Sequence, residues 1–289
     1  MASINSVQNQ EVTYLAGVTQ GGTIAAESFW TWNYDFPATY GPDNFQTKWG
    51  PATAGTQGQI SYAFDLASNW STTEKSAFVA SMDLWAAVAN VSFHEQADDI
   101  ARVIISRNTE GTASGGPDFF IPGDIGSTVL GRASSGSISI DASSNAFGPL
   151  GTALSTFGGY PSLTVTHEIG HVLGLGHGGT YDREEGNESA YTIYDSLPWT
   201  IMSYNEEGTS GDGATYRWGT TTQGGFAYQN VPTTWMPLDI VAAQRLYGVA
   251  VNTPLSGGQT YGFNSNITGT IGKFFDFTQN SSPIITLWN

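Results

Sequence analysis

The sequence predicts an α+β fold, strands and helices followed by a loop-rich part, and three observations predict it. Ile60, Tyr62, Phe64 and Leu66 alternate along "GQISYAFDL", the period of a half-buried strand. Phe78, Met82, Trp85 and Ala89 recur four, three and four residues apart, the period of an amphipathic helix. Residues 178–233 are instead rich in Gly, Thr and Asn with little periodicity, so something other than regular structure must organise them.

Residues 1–47 are polar, Gly-rich and aromatic without a clear period. They are expected to form an N-terminal extension, whether a pro-segment, an irregular cover or a loosely packed arm. The main domain is expected over 48–250, its upper part reaching about residue 176 and its lower part starting at 177. The strand at 58–66 opens it. The helix that follows begins in "STTEKSAF", where a Ser/Thr cap region precedes Glu74 in the first turn. "ARVIIS" and "GSISID" read as further strands, and "EGTASGGPDFFIPGDIGS" between them reads as a Gly/Pro/Asp loop. A second helix starts near Pro161-Ser162 and runs to about Gly174. "MPLDIVAAQRLYG" is a third, with Pro237 suited to its first turn and Gly248 to its C-terminal cap. Residues 251–289 read as short β-like pieces that start a further module.

Charge and composition exclude several functions. Nine Lys plus Arg against 25 Asp plus Glu leave a net charge of −16, which cannot neutralise a run of phosphates, so nucleic acid and anionic membrane surfaces are not expected partners. With no cysteine, disulfides, thiolate metal sites and cysteine nucleophiles are excluded. The N-terminal "MASINSVQNQEVTYLAG" has neither the basic start nor the apolar core of a signal peptide, and no stretch approaches the ~18–20 apolar residues of a membrane span.

"HEIGHVLGLGH", residues 167–177, concentrates three of the four histidines in eleven positions. In a helix His167 and His171 lie one turn apart on one face, so both imidazoles can reach a single ion. Glu168 sits on the adjacent flank, displaced from the ion but placed to hold a water on it, as a general base must. His177, six residues after His171, would point about 240° further round a continuing helix. It joins the other two only if the helix breaks, and Gly174, able to take positive φ, supplies the break. Three neutral imidazoles plus water make an open zinc site of the catalytic kind. The bland alternative is a helix with histidines exposed or capping its end.

His167-Glu168-x-x-His171-x-x-Gly174-x-x-His177 resembles the metzincin signature, which is accompanied by a methionine turn beneath the metal. "IMSY" supplies Met202, whereas Met236 sits at the start of the third helix. Matrixins carry further histidines and a cysteine latch, and astacins and adamalysins usually carry disulfides; with His94 alone to spare and no cysteine, the chain is closer to the serralysins. "ISYAFD", "LTVTHEIGHVLGLGH", "IMSY", "LDIVAAQRLYG" and "YGFNSN" all look like serralysin segments in serralysin order, over roughly residues 48–289. The resemblance implies a zinc endopeptidase of metzincin-like zincin fold, an upper mixed twisted sheet with an active-site helix and a backing helix above a loop-rich lower part with the methionine turn and C-terminal helix; its ligands are His167, His171 and His177, with Glu168 as base and proton shuttle and Tyr204 as a group that ligates zinc at rest and swings to the oxyanion in turnover. It also implies protein or peptide substrates, a proteinaceous inhibitor as a further partner, a monomer, and secretion through a C-terminal signal. Calcium is an expected structural ion around Gly257–Asp276. Two departures stand out: Gly178 replaces the proline usual after the third histidine, which suggests a more mobile wall, and the glycine- and Asp-rich repeats of the family do not follow.

The remaining candidates read as surface. His94 is expected at a solvated strand end, Asp98-Asp99 and Glu184-Glu185 on solvated loops, and "NEEGTSGDGAT" (205–215) lacks the spacing of a calcium loop. An extended peptide is expected to pair with an edge strand within 132–141. The rival reading is a zinc-binding adhesin or other binding module, catalytically silent or latent.

Overall fold

The computed structural model describes residues 3–31, 44–143, 160–181, 189–205, 218, 220–223 and 226–288. Glu184-Glu185 and nearly all of the acidic run at 205–215 lie outside these residues. The first element is a helix the sequence did not announce, α1 (Ser6–Ala16). Asn5 and Gln8 form a reciprocal capping box at its start and Gly17 closes it at φ 66°. Its buried residues, Glu11, Val12, Tyr14, Leu15 and Ala16, are confined to the last turn and a half, too few for an apolar period to show.

The domain core follows the periodic segments. Strand β1 (Gly58–Phe64) buries Ile60, Tyr62 and Phe64, but Leu66 is 77% exposed because the strand ends at Phe64 and Asp65 caps a single turn. Helix α2 (Thr72–Val88) starts at Ser71 with a capping box to Glu74 and buries Phe78, Met82 and Trp85. Strands β2 (Val91–Glu95) and β3 (Val103–Arg107) flank β1 in parallel. His94 lies exposed near the end of β2.

The stretch expected as a loop contains strand β4 (Ala113–Ile121), antiparallel to β5 (Arg132–Ile140). The five strands run β2-β1-β3-β5-β4, so the mixed sheet is as expected but its edge is not: β5 is interior, paired with β3 on one side and β4 on the other. Gly115, Gly116 and Pro117 hid β4, because they suppress side-chain alternation while an edge strand tolerates both residue types.

Helix α3 (Tyr160–Val172) packs between α2 and the sheet; every residue from Pro161 to Val172 is buried. The Trp85 indole donates to the Thr166 carbonyl at 3.0 Å, fixing α2 against α3. Past a two-stranded ribbon, β6 (Thr220–Gln223) with β7 (Phe226–Gln229), comes α4 (Pro237–Tyr247), capped at Gly248 and packed on α1. Residues 251–288, expected to be β-like, carry turns and one short helix, α5 (Gly272–Phe275). Ile267, Ile271, Phe274 and Phe275 join the main core there, so burial rather than strand pairing holds this segment. No described helix is long and apolar enough to cross a membrane.

Candidate metal centre

The end of α3 decides where His177 goes. Gly174 N–H donates to His171 O at 2.8 Å and Leu175 N–H to Gly170 O at 3.0 Å, with Gly174 at φ +92°, the paired bonds of a Schellman ending. The last carbonyls of a helix need donors from elsewhere. Trp49 Nε1 serves Val172 O at 2.7 Å, Tyr247 Oη serves Leu173 O at 2.7 Å and Trp30 Nε1 serves Gly174 O at 2.8 Å. Three aromatic donors from distant parts of the chain thus pin the turn that reverses direction before His177.

His167, His171 and His177 are buried and converge as the glycine break requires. The Nε2 atom of His177 lies 3.2 Å from that of His167 and 3.0 Å from that of His171. Two nitrogens bound tetrahedrally at about 2.0–2.1 Å stand ~3.3 Å apart, so both of these pairs have nearly the spacing zinc imposes. Tautomers agree. His167 Nδ1 faces Ile201 O at 2.7 Å and His171 Nδ1 faces Leu175 O at 2.8 Å; a carbonyl can only accept, so each Nδ1 carries the proton and each Nε2 keeps its lone pair for a metal. Nitrogen donors without thiolate suit zinc. Among the described residues this is the grouping of three side chains able to share an ion.

Glu168 is buried beside the trio and lines a cavity of about 280 Å³ with Tyr160, Leu163, Leu197, Ile201 and Tyr204. Tyr204 is 51% exposed, and its ring centroid stands 4.4 Å from that of His177 and 6.0 Å from that of His167. Met202 is fully buried against Gly170: a Cβ there would fall 2.7 Å from Met202 Sδ. The four residues of "HEIG" therefore include a glycine that makes room for the methionine floor. No family model matches the chain. It is 32% identical over 226 residues to metalloprotease AprA of Pseudomonas entomophila, covering 77% of this chain and 42% of that protein. It is 39% identical over 130 residues to serralysin C of Dickeya chrysanthemi, covering 44% and 23%. The chain is a serralysin-like metzincin. It spans under half the length of these relatives. A hatching-enzyme zinc protease, high choriolytic enzyme 1 of Oryzias latipes, aligns with 69% of the chain at a TM-score of 0.39 and 16% identity.

The serralysin-like site rests on residues that the motif does not contain. Asp239, third residue of α4, accepts from Thr200 Oγ1 at 2.6 Å, Ile201 N at 2.8 Å and Met236 N at 2.7 Å, tying that helix to the methionine turn; burial pushes its carboxyl up to about 7. Its place in "MPLD" marks it as a helix cap but not as a tie to the turn. Tyr181 stacks on Tyr204 at 4.7 Å and 19°, accepts the Tyr204 N–H at 3.2 Å and donates to Asp195 Oδ1 at 2.7 Å. Burial pushes Asp195 up to about 6 against the hydrogen bonds from Tyr181, Ser203 and Asn205. Gly178, expected to mark a mobile wall, is buried between carboxyl groups. A Cβ at this position would lie 2.4 Å from Asp195 Oδ1 and 2.9 Å from Glu11 Oε1. No local spacing signals Tyr181, Asp195 or Glu11.

Proposed function

We propose that the protein is a zinc-dependent endopeptidase that hydrolyses internal bonds of extended protein or peptide chains. The observation that carries this reading is three histidine Nε2 atoms converging beside a buried Glu168 on an open cleft. Likeness to a protein named as a metalloprotease supports it.

Zinc held by His167, His171 and His177 would supply Lewis acidity toward water and the scissile carbonyl. Glu168 takes the proton from the attacking water and delivers it to the departing amine. Its burial beside the histidines keeps that transfer out of bulk solvent. Tyr204, with an exposed hydroxyl-bearing ring over His177, hydrogen-bonds the developing oxyanion. The substrate backbone adds to edge strand β4, which passes directly over the active-site helix: a Cβ on Gly115 would lie 2.5 Å from Glu168 O. Leu163, Leu197 and Ile201 give the adjoining cavity an apolar wall that favours an apolar substrate side chain.

The test is Glu168→Gln, assayed on casein with zinc content measured alongside. Proteolysis is expected to fall by about 10²–10⁴-fold while zinc stays bound. Undiminished proteolysis in that variant removes Glu168 from the mechanism. A parent protein that holds zinc but cleaves nothing would favour the silent binding module.

A further inference from the structure

Two of the three ligands are spaced by helix α3 itself; the third, His177, lies beyond the turn and takes its position from what packs around it. On one side of it Gly176 N–H donates to Leu15 O at 2.8 Å, and a Cβ at Gly176 would sit 2.4 Å from Phe29. On the other side is Gly178 with its two carboxyl neighbours. Leu15, Phe29 and Glu11 all belong to the N-terminal 31 residues. The same segment grips the loop that supplies Asp195: Glu11 Oε2 accepts from Thr192 Oγ1 at 2.5 Å, Tyr14 stacks on Tyr191 at 4.0 Å and 16°, and Asn5 Nδ2 donates to Tyr194 Oη at 2.9 Å.

Glu11 is the anomaly in this contact. It is fully buried on a helix whose other buried residues are apolar or aromatic, and among the described residues its Oε1 has no hydrogen-bond partner. A carboxyl buried with half its bonding unmet destabilises α1 relative to leucine or methionine at the same place. Packing of α1 therefore does not explain it, whereas the Gly178 backbone does.

We propose that Glu11 is a positioning residue of the metal centre: it closes with Asp195 on the Gly178 backbone and so fixes the segment that carries His177. The inference rests on the three-histidine zinc reading given above. On it, the N-terminal segment is a working wall of the site, and removing it lowers zinc affinity instead of releasing a latent enzyme.

The experiment compares full-length Glu11→Ala, Glu11→Gln and Gln8→Ala with the parent, measuring zinc affinity by chelator competition, kcat and KM on a peptide, and thermal melting of the zinc-free proteins. A parent that binds no zinc ends the underlying reading before the variants matter. With a zinc-binding parent, Glu11→Ala is expected to weaken zinc about 10- to 100-fold, the usual effect of removing a group behind a ligand. Glu11→Gln, of the same length and able to donate to Asp195, is expected to recover most of that loss. Gln8→Ala removes one bond of the α1 capping box without touching Gly178 or the loop that carries Asp195, so it lowers the melting temperature and leaves zinc affinity within about twofold. The proposal is overturned if folded Glu11→Ala binds zinc as the parent does, or if Gln8→Ala weakens zinc equally. Should Glu11→Ala not fold, Gly178→Ala puts a methyl into the same contact from the other side, and unchanged zinc affinity there overturns it as well.

Discussion

Gly174 shows how much a single position settles. It holds φ +92°, and a Cβ there would stand 2.2 Å from the backbone carbonyl oxygen of Thr47, which cannot rotate away. Gly174→Ala therefore adds left-handed strain of about 1–2 kcal/mol to a backbone clash, more than 3 kcal/mol in all. It should lower the melting temperature and, by displacing His177, abolish casein hydrolysis. Met202→Leu, a swap of similar volume on the floor of the site, should cost under about 1.5 kcal/mol and keep activity. A fully active Gly174→Ala protein would contradict this account of the turn. The requirement at Gly174 was legible because it follows from helix geometry alone: six residues point the wrong way unless the helix ends. Gly170 and Gly178 were not, since they are glycine on account of Met202, Asp195 and Glu11, side chains that sequence spacing cannot bring near.

At the scale of elements, α4 reaches the site through Asp239, and that tie titrates. Burial holds the carboxyl at about 7 when folded, against about 3.9 in an unfolded chain. The folded state thus binds the proton more tightly. Its contribution is complete below pH ~4 and is lost as pH rises through 7. Asp195, at about 6, and Glu11, raised by burial and by Asp195, act in the same direction. Melting of the zinc-free protein should fall between pH 6 and 8, with Asp239 alone accounting for about 1 kcal/mol. Asp239→Asn cannot ionise and should flatten the decline by that amount; equal slopes in the two proteins would refute the assignment. Strand β1 and helix α2 were legible from their periods, and α3 and α4, buried on every side, from the histidine motif and from the Pro237 and Gly248 ends. Helix α1 and strand β4 were not: one spreads too few apolar residues for a period, and the other carries Gly-Gly-Pro where alternation would show. The capping box of α1, Asn5 with Gln8, was written in the chain, but without an apolar stripe behind it a cap has nothing to start.

Across the whole molecule the metal would join parts that are otherwise held unequally. The sheet and α2 share one apolar core with α3, which contributes His167 and His171. His177 and the segments 175–181 and 189–205 form no helix or strand of their own beyond an isolated bridge, and they rest on polar ties such as Tyr181–Asp195 and Thr200–Asp239. Such segments open locally at lower free energy than a packed core. Stripping zinc should therefore act unevenly. At zinc a thousandfold above its dissociation constant, binding adds about 4 kcal/mol, and at ~2–4 °C per kcal/mol the holo protein should melt roughly 10 °C higher. Hydrogen exchange on the stripped protein should accelerate across 175–181 and 189–205 while β1, β3 and β5 keep their protection. Were protection lost equally in the sheet and in those loops, zinc would be stabilising the fold as one unit, and the loops could not be described as organised around the ion.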